Sequence, residues 1–137
     1  MTDNLTPAQR SETMRRVKST NTTPELAVRR LVHGMGFRYG LHSKKLPGHP
    51  DIVLNRLRAV IFVHGCFWHR HSCEAAELPV TNREYWMGKQ QRNSDRDRRS
   101  VHALRRAGWR VLVIWECQTR KAARLEQRLR HFLTAAV

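Results

Sequence analysis

The sequence predicts one small α/β domain, in which a mixed sheet carries helices and a basic helix precedes it. Three observations lead there. The chain has 137 residues, the length of one domain. Apolar, β-branched runs at 51–54 and 58–64 suit central strands of a covered sheet. Amphipathic segments lie before, between and after the strand-like runs, which is the alternation of an α/β layer structure rather than a bundle or barrel.

Each element has its own reason. Pro7 to Val17 forms a short basic helix with Arg10, Arg15 and Arg16, and Met14 is its only large apolar residue before Val17. Thr22 and Glu25 make a capping box, Pro24 suits a first helical turn, and Leu26, Val28, Leu31, Val32 and Met35 supply an apolar side that ends at Gly34 and Gly36. Phe37 to His42 reads as a strand and Leu46 to Pro50 as a turn. The strands Asp51–Leu54 and Arg58–His64 are joined by a short turn around Asn55 and Arg56. A Cys/His-rich loop follows from Gly65 to about Val80. Thr81 and Glu84 form a second capping box, opening a long helix to about Ala107, before Gly108. Trp109 to Trp115 is a strand, and Lys121 to about Leu133 a basic helix.

The net charge is +15, and 40% of residues are hydrophobic, so this is a folded domain rather than a disordered basic tail. A polyanion, foremost nucleic acid, is the expected partner. Residues 1–50 carry +6, residues 51–90 only +1 and residues 91–137 +8. A near-neutral middle suits carboxylates and imidazoles, and the basic flanks suit phosphates. No apolar stretch approaches the ~18–20 residues of a membrane span, and the opening MTDNLTPAQRSE lacks the order of a signal peptide. A cytoplasmic, nucleoid-associated monomer without membrane contact is expected.

Three cysteines cannot all pair internally, which directs attention to metal. Cys66, Cys73 and Cys117 with one histidine of the loop, His69 or His71, make a Cys₃His set for structural Zn²⁺. Asp51, placed at a strand start after Pro50, approaches His64 if the two strands pair antiparallel. Asp51, His64 and the histidine left free by zinc then offer a carboxylate for Mg²⁺ and imidazoles that titrate near neutrality, the parts that phosphodiester hydrolysis needs.

The Pro-Asp followed by a second strand, in an αβββαβ order, resembles the restriction-endonuclease-like PD-(D/E)XK nuclease fold. The usual acid-x-lysine is absent, because Val63-His64-Gly65 stands in its place. A more specific resemblance lies in LPGHPD (46–51), VIFVHGCFWHRHSC (60–73), RDRR (96–99), GWRV (108–111) and VIWEC (113–117). Together these look like the very short patch repair endonucleases, the bacterial Vsr family, from about Arg10 to about Leu133. The resemblance implies a variant nuclease fold with structural zinc that nicks DNA 5′ to the T of a T:G mismatch left by deamination of 5-methylcytosine. Residues 1–20 become a DNA-gripping arm and residues 21–137 the nuclease domain.

Carried onto this sequence, the resemblance makes Asp51 and the main-chain oxygen of Val63 ligands of Mg²⁺. His64 and His69 become catalytic, with His69 the water-activating base, and Glu25 becomes an outer-shell carboxylate. Cys66, His71, Cys73 and Cys117 hold Zn²⁺. Phe67, Trp68 and Trp86 insert at the mismatch from the major groove and Met14 from the minor groove, while Lys89 and Asn93 face the recognition sequence. Arg92, Arg96 and Arg99 repeat at helical spacing and are expected on phosphates. The expected partner is duplex DNA with a T:G mismatch, with mismatch-repair proteins as candidate further partners. A related nuclease on matched DNA and a zinc-stabilised DNA-binding module without chemistry are the competing readings.

Overall fold

The structure, a computed structural model, describes residues 21–66 and 82–135. The expected helix at 7–17, the arm, Met14, Phe67, Trp68, His69, His71, Cys73 and Thr81 lie outside them.

Helix α1 (Thr23–Gly34) leads into a two-residue strand β1 (Gly40–Leu41) and then β2 (Ile52–Leu54). A 3-10 turn (Asn55–Leu57) connects to β3 (Ala59–His64). The long helix α2 (Arg83–Arg106) crosses over to β4 (Arg110–Trp115), and a second 3-10 turn (Glu116–Arg120) precedes α3 (Ala122–Thr134). The strands form one mixed sheet in the order β1-β2-β3-β4, antiparallel except for the parallel β3–β4 pair. That pair runs from Ala59↔Arg110 to His64↔Trp115, so both strands end at the same sheet edge.

Strand alternation divides the apolar residues between two faces. Ile52, Leu54, Ala59, Ile61, Leu112 and Ile114 pack with Val28 and Val32 of α1 and Leu125, Leu129 and Leu133 of α3. Val53, Val60 and Phe62 pack on the other face with Leu104 of α2. The sheet is thus covered on both sides, as its continuous apolar runs require. Each of the three α3 leucines, all at most 3% exposed, contributes about 1.5–3 kcal/mol on burial.

Three local expectations are corrected. The strand expected at 37–42 shrinks to Gly40–Leu41, because the Phe37 N–H still closes α1 on the Val32 carbonyl and His42 turns into the left-handed region at φ 48°. Arg58 does not open β3; at φ 48° it ends the preceding 3-10 turn. The described cap of α2 is Asn82, at φ 57° and without a side-chain cap bond; the expected Thr81–Glu84 box involves Thr81, which lies outside the described residues. At α1 only half of the box forms. The Thr22 hydroxyl accepts from the Glu25 N–H at 3.3 Å, a cap worth about 1 kcal/mol, but the Glu25 carboxylate points elsewhere.

Candidate active site

That carboxylate is 2% exposed and faces Arg29 and His42. Its Oε2 lies 3.2 Å from Arg29 Nη1 and 2.8 Å from His42 Nε2. Asp51 stands beside it, one residue ahead of β2, and its Oδ2 accepts the Val63 N–H at 2.7 Å. One donor atom from each of Glu25, His42 and Asp51 lies within 4.8 Å of the other two. Helix α1, the turn after β1 and the β2–β3 hairpin therefore converge on one point.

Burial pushes the Asp51 carboxyl up from 3.8 to about 7. The negative charge of Glu25 and a hydrogen bond with it act in the same direction, while the Val63 N–H and His42 oppose them. Two carboxylates pressed together in this way hold a proton where a cation would fit. The described residues therefore suit a divalent metal, and nitrogen from His42 is available besides carboxylate oxygen.

His64, the last residue of β3, points to the α2 face and is 6% exposed. Its ring is held between Phe62, with centroids 5.5 Å apart, and the edge of Trp115, at 5.3 Å. Its Nδ1 faces Asp97 Oδ2 across 3.9 Å. Asp51, Val63, His64 and Asp97 line one open cavity of about 790 Å³, with Lys44, Arg96 and Arg99 on its wall. Opposite the sheet, Gly48 (φ 76°) lies against α2 so closely that an added Cβ would stand 2.7 Å from Ser100 Cβ. This contact fixes the turn that delivers Asp51.

The structure thus brings together Glu25, Asp51, Val63 and His64, which sequence reasoning selected, and adds His42, Arg29 and Asp97, which it missed. Asp97 lay in view within the Arg96–Arg99 run, but as part of a charged helical stretch it gave no sign of facing a histidine of β3. For His42 the sequence held no signal, since its partner is 17 residues away.

Other expected residues fall as follows. Cys66 is buried, and the Cys117 N–H donates to its Sγ at 3.4 Å, so the two described sulfur ligands of the expected zinc set come from adjacent strand ends. An amide donated to sulfur favours thiolate, the form a metal binds, so this pair fits zinc. On α2, Arg92, Arg96 and Arg99 are exposed and Lys89 half-buried. Asn93 Oδ1 accepts from Arg96 Nη2. Trp86, expected at a base, is 6% exposed with its ring edge-on to Tyr85 at 5.0 Å.

Among the described residues, no helix is long and apolar enough to cross a membrane. A search of solved structures gives the catalytic domain of the homing endonuclease I-Bth0305I, with a TM-score of 0.62 at 21% identity over 85% of this chain and 99% of that one. The likeness shows a shared α/β fold. Among curated proteins, the chain is 50% identical over 133 residues to the type II nicking enzyme V.XorIIP of Xanthomonas oryzae pv. oryzae, covering 97% of this chain and 98% of that protein. It is 41% identical over 125 residues to the DNA mismatch endonuclease Vsr of Escherichia coli K12, covering 91% and 80%. The family model described as DNA mismatch endonuclease Vsr matches residues 2–75, more than half of the chain. Carried by these matches across nearly its full length, the chain belongs to the Vsr family of DNA mismatch endonucleases.

Proposed function

We propose that this protein is a Mg²⁺-dependent DNA endonuclease that nicks duplex DNA 5′ to the T of a T:G mismatch arising from deamination of 5-methylcytosine. The observation that carries the reading is Asp51, backed by the buried Glu25 carboxylate, lining one cavity with the His64–Asp97 pair and a wall of cationic side chains.

In this reading Asp51 and the main-chain oxygen of Val63 would hold the metal, and Glu25 would act on its outer shell. Bound there, the cation would neutralise the scissile phosphate and make water a better nucleophile. The Val63 N–H fixes the Asp51 carboxylate toward the cavity, and Arg29 and His42 fix Glu25. His64, oriented by Asp97 and two aromatic rings, serves as the proton-handling imidazole on the opposite wall, with His69 as the water-activating base. Lys44, Arg96 and Arg99 take the phosphates on either side, joined by Arg92. Zinc held by Cys66, His71, Cys73 and Cys117 orders the loop that carries Phe67 and Trp68. Those rings, with Met14 from the arm, enter a weak T:G step more cheaply than a matched one. For Trp86 the same role entails a change of side-chain position on binding, because it starts buried. Lys89 and Asn93 read the flanking bases.

The test is strand cleavage of T:G and T:A duplexes of identical sequence in Mg²⁺. The expected result is one nick in the T strand of the mismatch only, lost by at least about 10³-fold in Asp51→Ala. Equal cutting of both duplexes would favour a nuclease of matched DNA. Binding of T:G duplex undiminished in Asp51→Ala, with no cutting by either form, would identify a module without chemistry.

A further inference from the structure

We propose that His42 is a nitrogen ligand of the catalytic cation, so that the centre takes a first-row transition dication more tightly than Mg²⁺. The inference deepens the reading of the Glu25–Asp51 site as a metal-dependent nuclease centre and rests on it.

The geometry is that of a ligand set, in which Glu25 joins Asp51 and His42 as a direct ligand rather than acting from the outer shell. Around a cation with bonds of about 2.1 Å, adjacent octahedral donors stand about 3.0 Å apart and opposite donors about 4.2 Å. His42 Nε2 and Glu25 Oε2 are already 2.8 Å apart, close to the adjacent spacing. The third donor, from Asp51, lies within 4.8 Å of both, close enough for side-chain adjustment to bring it to those spacings. Of the two partners of Glu25, Arg29 has no lone pair to offer, whereas neutral His42 has one, which meets the cation at Nε2 once the hydrogen shared with Glu25 sits on Nδ1 instead.

The imidazole is also placed in advance. His42 sits at φ 48°, a region uncommon for residues other than glycine, and its N–H donates to the Asp51 carbonyl at 3.1 Å. Its backbone is thereby tied to that of a second ligand. The side chain is 25% exposed and lines the cavity from which a cation would enter. Mg²⁺ prefers oxygen donors and gains little from such a nitrogen, whereas first-row transition ions bind imidazole well.

The experiment titrates the full-length, zinc-loaded protein, free of DNA, with Mn²⁺ and with Mg²⁺. Mn²⁺ binds nitrogen least strongly of its series, so it is the demanding probe. In His42→Gln the Mn²⁺ affinity should fall at least about 10-fold, and the Mg²⁺ affinity less than about threefold. The Mn²⁺ electron spin echo should show a directly bound imidazole nitrogen in the native protein and lose it in the variant. His42→Asn repeats the test if the glutamine does not fold. Nitrogen coupling that persists in the variants, or equal weakening of both metals, would overturn the proposal and leave His42 as a residue that only orients Glu25. A chain that cuts no DNA yet shows coupling dependent on His42 would sink the nuclease reading alone.

Discussion

Replacing Asp51 by Asn should make the metal-free protein more stable at pH 8 than the native chain, although it removes a carboxylate assigned to the reaction. In the folded state burial, helped by Glu25, pushes this carboxyl up to about 7, whereas the unfolded chain ionises it at its ordinary 3.8. Between those values the folded state retains a proton that the unfolded state has lost. Stability contributed by this group therefore falls as pH rises from about 4 to about 7 and stays low above that. The gap between the two values sets an upper bound of about 4 kcal/mol, and solvent in the open cavity reduces the expected effect to about 1–3 kcal/mol. Asparagine keeps an oxygen for the Val63 N–H and presents an amide to Glu25, so the loss of charge is nearly the whole perturbation. Urea unfolding of both proteins without added metal, from pH 4 to 8, measures it. The stability gap in favour of the variant should be small at pH 4, widen to pH 7 and then level off. Millimolar Mg²⁺ should close the gap by binding only the native site. A variant less stable at pH 8, or a gap independent of pH, would refute the account.

Other perturbations probe the supports of the site. Gly48→Ala places a Cβ 2.7 Å from Ser100 Cβ at a backbone φ of 76°, and thermal and urea unfolding should show a loss of about 2–4 kcal/mol with nicking reduced in parallel. The double substitution Arg96→Gln with Arg99→Gln should lower the slope of log affinity for duplex against log salt by about 2, with little change in preference for the mismatch. Metal analysis after dialysis should find about one Zn²⁺ per chain, and Cys117→Ser should abolish its retention and lower the unfolding midpoint. A stable, active, zinc-free native protein would contradict that last expectation.

The layer order of the fold was legible because its signals are local. The runs at 51–54 and 58–64 had to be covered strands, and Gly108 and Pro24 marked helix boundaries within a residue or two. Short-range geometry that depends on tertiary partners was not legible. The strand expected at 37–42 failed because the Phe37 amide is taken by α1, a competition invisible in residue type. The candidate site divides in the same way. Asp51 and His64 could be paired by reasoning that two short strands form a hairpin, and β2–β3 is indeed antiparallel. Glu25 read equally well as a cap, and only the fold turns its carboxylate toward His42. Asp97 meets His64 because α2 crosses the sheet at one angle, which no spacing rule specifies.

The parallel pairing of β3 with β4 has a kinetic side. Cys66 and Cys117 leave neighbouring strand ends, yet 51 residues of chain separate them. Their sulfur–amide contact cannot form until α2 has folded, crossed the sheet and delivered β4 into register. Closing so long a loop is slow compared with forming the β2–β3 hairpin, which needs only local contacts. The hairpin that carries Asp51, Val63 and His64 can therefore assemble early, while any metal gripped by both sulfurs is captured last. Metal uptake followed during refolding would serve as a clock for the final step of the fold.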